Sequence, residues 1–341
     1  MTLYSYSRIN CFLNCPAQFQ HRYILWTPSP VPEGIELFMG SRFHEAMEFL
    51  YDTTRPPGLP PTLKETLEEF NRAWEKALEA NVAKQKARGF ETPVRITREG
   101  LAIDDYRRKA EGFVENYYRK YHPFNWDRTE GIEMKVVFKL DKAGKYMMNG
   151  YIDRLAVDPE GTLWVHDYKT GARKMTQEEA DEEDQLALYM LGLRQIEKYR
   201  EMPIRLQWHF VAFEEDEVVS ERKPEDLKVL RNRYVHHIQQ IESARQFNTH
   251  TSALCGWCEF LTLCKDGQEA VAARAKRAEE RAALAAPLEE IPPASTPGVS
   301  SAGNPEAPKR VEEVPRVSGP PEEPSTPPSG GKPGSQLSLF D

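Results

Sequence analysis

The chain has 341 residues, of which 40% are hydrophobic and 29% charged, with a formal charge of -8 at pH 7. That is enough apolar material for a buried core, and the acidic balance argues against a protein that coats nucleic acid non-specifically, although a basic cleft remains compatible with it. No apolar run approaches the ~18 residues of a membrane span, and the opening MTLYSYSRINCFLNC lacks a basic region followed by an apolar stretch, so a cytoplasmic protein without membrane association is expected.

In chain order, apolar and aromatic residues recur at spacings of three and four over 36–51, 62–87 and 97–121, which predicts amphipathic helices. Three strand-like runs follow, IEMKVVFKL, YMMNGYIDRLAVD and TLWVHDYKT, punctuated by the turn signals DKAGK and DPEG. They predict a β-meander. Helical spacing returns over 178–199, IRLQWHFVAF alternates as a strand does, and 225–246 is helical again. The expected class is α/β, a mixed central sheet flanked by helices. An Ala, Arg and Glu-rich stretch predicts a helical extension over 271–286. From Pro287 to Pro333, 13 of the 26 prolines fall within 47 residues, a composition that cannot bury enough surface to offset its ordering entropy. A folded body over 1–270 and a disordered tail over 287–341 are therefore expected.

The stretch VHDYKTG carries the first chemistry. Asp167 and Lys169, two apart in a strand, point to one face. If GYIDRLAV pairs with VHDYKT through the DPEG turn, Asp153 lies level with Asp167, because their numbers average to residue 160, inside that turn. Two carboxylates then converge beside an ammonium. Buried like charges repel, and a divalent cation removes the cost. Oxygen ligands favour Mg²⁺ or Mn²⁺ over zinc, and a metal so held suits hydrolysis of a phosphodiester. Glu133, in IEMKVVF, reads as an edge-strand charge and is left outside the site.

The five cysteines of a cytoplasmic chain point to metal binding or reactivity rather than to disulfides. CGWCEFLTLC has the spacing C-x2-C-x5-C at Cys255, Cys258 and Cys264, which leaves a fourth ligand to come from elsewhere. Thiolates serve iron and zinc alike, so both stay open on the residues alone.

Taken together, GYIDRL, the 14 positions from Asp153 to Asp167, and DYK resemble the second and third motifs of the PD-(D/E)XK nuclease superfamily, in its RecB-like and CRISPR-adaptation exonuclease branch. GSRFHEAME resembles the first motif, whose histidine, His44 here, contributes to the metal site. QLALY resembles the Q-x-x-x-Y motif at Gln185 and Tyr189, and the opening YSYSRINCFLNCPAQFQHRY is similar to the branch's N-terminal segment with Cys15 in its cysteine position. The resemblance spans residues 4 to 264. It implies a restriction-endonuclease-like core. The metal would be held by Asp153, Asp167, His44 and the Tyr168 carbonyl, with Lys169 assisting the attacking water. Gln185 and Tyr189 would position the DNA. It further implies a [4Fe-4S] cluster on Cys15, Cys255, Cys258 and Cys264, stapling the N-terminal to the C-terminal segment, with structural Zn²⁺ as the alternative. Cys11 is left as a packed spare.

At the far C-terminus QLSLF interrupts an otherwise apolar-poor tail. It resembles the peptide by which bacterial replication and repair proteins bind the sliding clamp, with Gln336, Leu337, Leu339 and Phe340 as the contacts. The expected function is a metal-dependent DNA nuclease, an exonuclease on single strands with 5′ to 3′ polarity suggested by the resemblance, working alone or with a helicase. Two rivals stand beside it. A CRISPR-adaptation nuclease that trims spacer precursors shares the chemistry, and the clamp-like tail argues against it. A non-catalytic DNA-binding subunit shares the fold, and the intact Asp153, Asp167 and Lys169 argue against that.

Overall fold

The computed structural model describes residues 2–55, 59–215 and 217–285. Its centre is a six-stranded mixed sheet with the order β1-β3-β4-β5-β6, in which β2 also pairs with β3. The strands are β1 (Leu3–Ser5), β2 (Arg128–Lys139), β3 (Met147–Val157), β4 (Leu163–Lys169), β5 (Ile204–Phe210) and β6 (Glu217–Ser220). The expected meander is present as antiparallel β2–β3 and β3–β4 pairs, while β4–β5 and β1–β3 run parallel. β1 and β6 carry no sequence signal long enough to read, since three or four residues cannot establish an alternation.

Helices cover the sheet on both sides. α1 (Tyr6–Asn14), α2 (Pro16–Phe19), α6 (Gln177–Glu182), α7 (Gln185–Leu193) and α8 (Pro224–Ser243) belong with one core cluster, built on Phe138, Ile152, Val165 and Trp208. α3 (Ile35–Leu50), α4 (Leu63–Ala87) and α5 (Ile103–Tyr121) form the other, built on Phe43, Phe70, Trp74 and Tyr117. The sequence put these last three helices at nearly the same places because each buries a 3.6-period stripe. The single helix expected over 178–199 is instead split into α6, α7 and a 3-10 turn at Glu197–Tyr199. The break at Glu183 and Asp184 matters, because it gives α7 its own N-terminus beside the sheet. α9 (Lys265–Ala285) starts directly after Cys264. The chain divides into a unit that includes Met1–Lys276 and a second that begins at Arg277.

Two glycines bring α7 against the strands. A Cβ on Gly150 of β3 would lie 2.1 Å from Tyr189 Cε1, and one on Gly192 of α7 would lie 2.8 Å from Phe138 Cδ1. Neither separation is compatible with a side chain, so helix and sheet approach at these points only because both residues lack one.

The feature that positions the site is a fork in β3. On one edge β3 pairs with β1 at Met147–Asn149 and with β4 only from Arg154 onward, so residues 150–153 have no strand partner there. Asp153 sits at the end of that gap, one residue before Arg154, which faces His166. Continuing the register by one step sets Asp153 level with Asp167.

Candidate metal centre

Four elements supply the centre. α3 buries Ile35, Phe38, Met39, Phe43, Ala46, Met47 and Leu50, and His44 follows Phe43 at the margin of that stripe. β3 supplies Asp153 and β4 supplies Asp167, Tyr168 and Lys169. β2 supplies Glu133, which lies between Ile132, paired with Arg154, and Met134, paired with Ile152, and so is level with Asp153.

His44 Nε2 is 3.1 Å from the Tyr168 carbonyl, to which it donates, leaving Nδ1 turned to Asp153 Oδ2 at 3.6 Å and Glu133 Oε1 at 3.7 Å. Ligand atoms of His44, Glu133 and Asp153 all lie within 4.8 Å of one another, the only such trio among the described residues. Asp153 Oδ2 also accepts the Tyr168 backbone N–H at 2.8 Å, a bond that takes the place of strand pairing at the fork. Lys169 Nζ stands 2.7 Å from Asp167 Oδ2, yet that buried oxygen has no aligned hydrogen-bond partner. The contact is therefore an ion pair that leaves an oxygen lone pair uncommitted. An open cleft of about 560 Å³ is lined by His44, Glu48, Glu133, Lys169 and Thr170 among others.

The electrostatics follow from crowding. Burial, then the neighbouring Asp167, pushes the Asp153 carboxyl up to about 7. Burial opposes charge on His44, but Glu133, Asp153 and Asp167 together outweigh it and raise the imidazole to about 9. Burial likewise opposes charge on Lys169, and the Asp167 carboxylate overrides it, so the ammonium is held above its ordinary range. Imidazole, carboxylate and carbonyl donors around an uncommitted buried oxygen fit a hard divalent cation. These residues fit the group expected from the sequence, with Glu133 added to it.

Glu133 is the residue that sequence reasoning left out. Its φ is 44°, in the left-handed region that non-glycine residues seldom occupy. Strand alternation assumes an extended backbone at every position, so a reversal of φ inside a strand carries no signal there. Gln185 and Tyr189, expected to position DNA, are brought to the centre from behind. Lys169 Nζ is 3.3 Å from Gln185 Oε1, and Gln185 Nε2 is 3.3 Å from the Tyr189 hydroxyl. Tyr189 is 7% exposed, packed against Gly150, so its ring is not available to a strand lying in the cleft.

The cysteines lie where the N-terminal and C-terminal segments meet. Arg22 makes a two-oxygen pair with Glu259, the His21 ring stacks on Phe260 at 5.0 Å, and the Ala17 N–H donates to the Asn248 carbonyl at 3.2 Å. Backbone N–H groups of Ser252 and Gly267 reach Cys255 and Cys264 Sγ at 3.3 Å each. All five thiols are free, and no three cysteine sulfurs lie within 4.8 Å of one another among the described residues. Cys11 is buried, which pushes its thiol up to about 11. Gln336, Leu337, Leu339 and Phe340 lie outside the described residues.

Comparison with known proteins agrees with this geometry. The family model of the PD-(D/E)XK nuclease superfamily matches residues 4–265. Among solved structures, the crystal structure of SSO0001 is similar over 57% of this chain and 96% of that one, at 15% identity and a TM-score of 0.30. No curated protein matches the sequence.

The proton inventory predicts how a cation binds. Asp153 below about pH 7 and His44 below about pH 9 each hold a proton that an incoming metal must displace. Calorimetric titration with Mn²⁺ should show affinity rising by about tenfold or more from pH 6 to pH 9. Glu133→Gln should weaken binding and flatten the upper part of that rise, since it removes the leading group that raises His44. An affinity independent of pH would refute the ligand set.

Proposed function

The chain belongs to the PD-(D/E)XK nuclease superfamily, and from that premise we propose that it is a metal-dependent deoxyribonuclease of the RecB-like branch, an exonuclease on single-stranded DNA in repair, recombination or replication. The observation that carries the reading is the convergence of His44, Glu133 and Asp153 beside the Asp167–Lys169 pair. His44, Glu133, Asp153 and Asp167, with the Tyr168 carbonyl, would hold Mg²⁺ or Mn²⁺. When bound, such a cation polarises a phosphodiester oxygen and lowers the pKa of a water. Lys169 contributes charge rather than a base: Asp167 keeps its ammonium protonated, so it offsets the negative charge that grows on the phosphate as the bond breaks. The 5′ to 3′ polarity rests on the sequence resemblance. End-labelled single strands incubated with Mn²⁺ should be degraded from one end, and Asp167→Ala or Lys169→Ala should slow this by ~10²-fold or more with the fold retained. Normal turnover in both variants would refute the assignment.

We also propose that Cys15, Cys255, Cys258 and Cys264 hold a [4Fe-4S] cluster. The clasp between the two segments supports this, as do the N–H groups aimed at two of the sulfurs, a pattern that tunes cluster potentials. Protein purified without oxygen should be brown, with roughly four irons per chain, whereas stoichiometric zinc without iron would leave only the staple.

The tail is proposed to bind a bacterial sliding clamp through Gln336, Leu337, Leu339 and Phe340, a reading that rests on sequence. Short peptides of this kind place most of their affinity in a few apolar anchors. The full chain should bind the clamp, and Leu337→Ala with Phe340→Ala should abolish binding while leaving cleavage of free oligonucleotides unchanged. Equal binding by the double variant would remove the clamp from the reading.

A further inference from the structure

The contacts behind Lys169 form one continuous line from the sheet to the ammonium. It begins at Gly150, whose missing side chain is the space the Tyr189 ring occupies. That space fixes the ring, because Tyr189 belongs to α7, a helix in which Leu186 to Leu193 are all buried. From the ring the line runs through the hydroxyl to Gln185 Nε2 at 3.3 Å, and from Gln185 Oε1 to Lys169 Nζ at 3.3 Å. It ends on Asp167, 2.7 Å from the same nitrogen.

The direction of this line is dictated by chemistry. An ammonium only donates, so the Gln185 amide must present its oxygen to Lys169 and its NH₂ to the Tyr189 hydroxyl. Gln185 cannot turn away to serve another partner without leaving the ammonium. Its backbone is held as well, because Gln185 N donates to Glu183 Oε2 at 2.7 Å at the start of α7. Lysine needs such support. Its four-carbon stem is flexible, and the Lys169 side chain is 34% exposed.

We propose that Gly150, Tyr189 and Gln185 are positioning residues that set the Lys169 ammonium against Asp167, acting on the reaction through Lys169 rather than by gripping the DNA strand. This inference rests on the nuclease reading above and changes the task assigned to Gln185 and Tyr189 within it. Gly150 becomes a functional position although it has no side chain. An alanine there obstructs the Tyr189 ring directly, and no left-handed backbone is involved, so the effect is steric.

Tyr189→Phe keeps the ring and deletes only the hydroxyl that accepts from Gln185. It should lower the single-turnover cleavage rate by about 10- to 100-fold, the scale of a misplaced catalytic group, while the dissociation constant for single-stranded DNA in Ca²⁺ stays the same. Gly150→Ala should behave alike. In a Lys169→Ala background Tyr189→Phe should cost nothing more, since the group it acts through is gone. A second readout is independent of cleavage: in competitive acetylation followed by mass spectrometry, Lys169 of the full-length protein should react faster in Tyr189→Phe and in Gly150→Ala than in the parent. Weakened DNA binding at an unchanged rate, or a Tyr189→Phe effect that persists without Lys169, would overturn the proposal. So would unchanged acetylation of Lys169 in Tyr189→Phe, the variant that decides if Gly150→Ala does not fold. A parent protein that cleaves no DNA would refute the nuclease reading, and acetylation alone would then judge the positioning line.

Discussion

Burying Asp153 beside Asp167 is the constraint around which the rest of the molecule is arranged. Two carboxylates taken from water into one site repel each other, and neither is stable as an anion without a nearby cation or donors. The protein answers with three separate groups. The Tyr168 N–H is aimed at Asp153 because β3 and β4 part company there, the His44 imidazole is brought in by α3, and the Lys169 ammonium is placed next to Asp167. The residual conflict is visible in the Asp153 carboxyl, which burial and its neighbour leave with a proton up to about pH 7. A divalent cation resolves that conflict more completely than His44 and Lys169 do.

Behind this site lies a second polar system that holds the strands in register. Arg154 follows Asp153 in β3 and makes a two-pronged pair with Asp127, at 2.7 and 3.0 Å, while stacking over the Tyr51 ring at 4.1 Å. Arg154 Nη2 also donates to His166 Nε2 at 2.9 Å, which fixes the next bonds in turn. His166 Nδ1 must then donate to His209 Nε2 at 3.0 Å, tying β3 to β4 and β4 to β5. Burial and the Arg154 charge keep His166 neutral, pressing it down to about 4, as that donor order requires. Breaking a buried pair of this kind costs ~3–5 kcal/mol. Asp153 and Asp167 are each one residue from a member of this system, so their spacing is inherited from it.

What could be read in the sequence was whatever local periodicity and turn chemistry determine. The level placement of Asp153 and Asp167 follows from a hairpin closed by Asp158 to Gly161, and arithmetic about that turn suffices to find it. Helices α3, α4 and α5 each repeat an apolar stripe over four or more turns. Glu133 was missed because its role depends on a backbone reversal at one residue, which no pattern of side chains encodes. Tyr189 was legible as a motif position but not as a buried ring, because its burial is decided by Gly150, 39 positions earlier, on a different element. The cysteine spacing set Cys255, Cys258 and Cys264 together locally, while the segment that faces them, around Cys15, is joined to them by tertiary contacts such as Arg22 with Glu259.

Those tertiary contacts also tie the cysteine end of the molecule to the chemistry. α1 ends at Asn14, beside Cys15, and begins at Tyr6. Burial and then the nearby Glu183 carboxylate hold the Tyr6 hydroxyl above its ordinary range, and Glu183 in turn receives the Gln185 N–H. Glu183 is half-buried, and burial, then the Asp167 charge, raises its carboxyl above the usual range. It lies near Lys169 and Asp167 without belonging to the ligand set. The nine residues of α1 therefore run from the neighbourhood of Glu183, which anchors the start of α7, to the segment that leads through α2 into the Arg22–Glu259 clasp. The Arg22–Glu259 clasp and the Gln185 amide that backs the Lys169 ammonium thus lie toward opposite ends of one short helix.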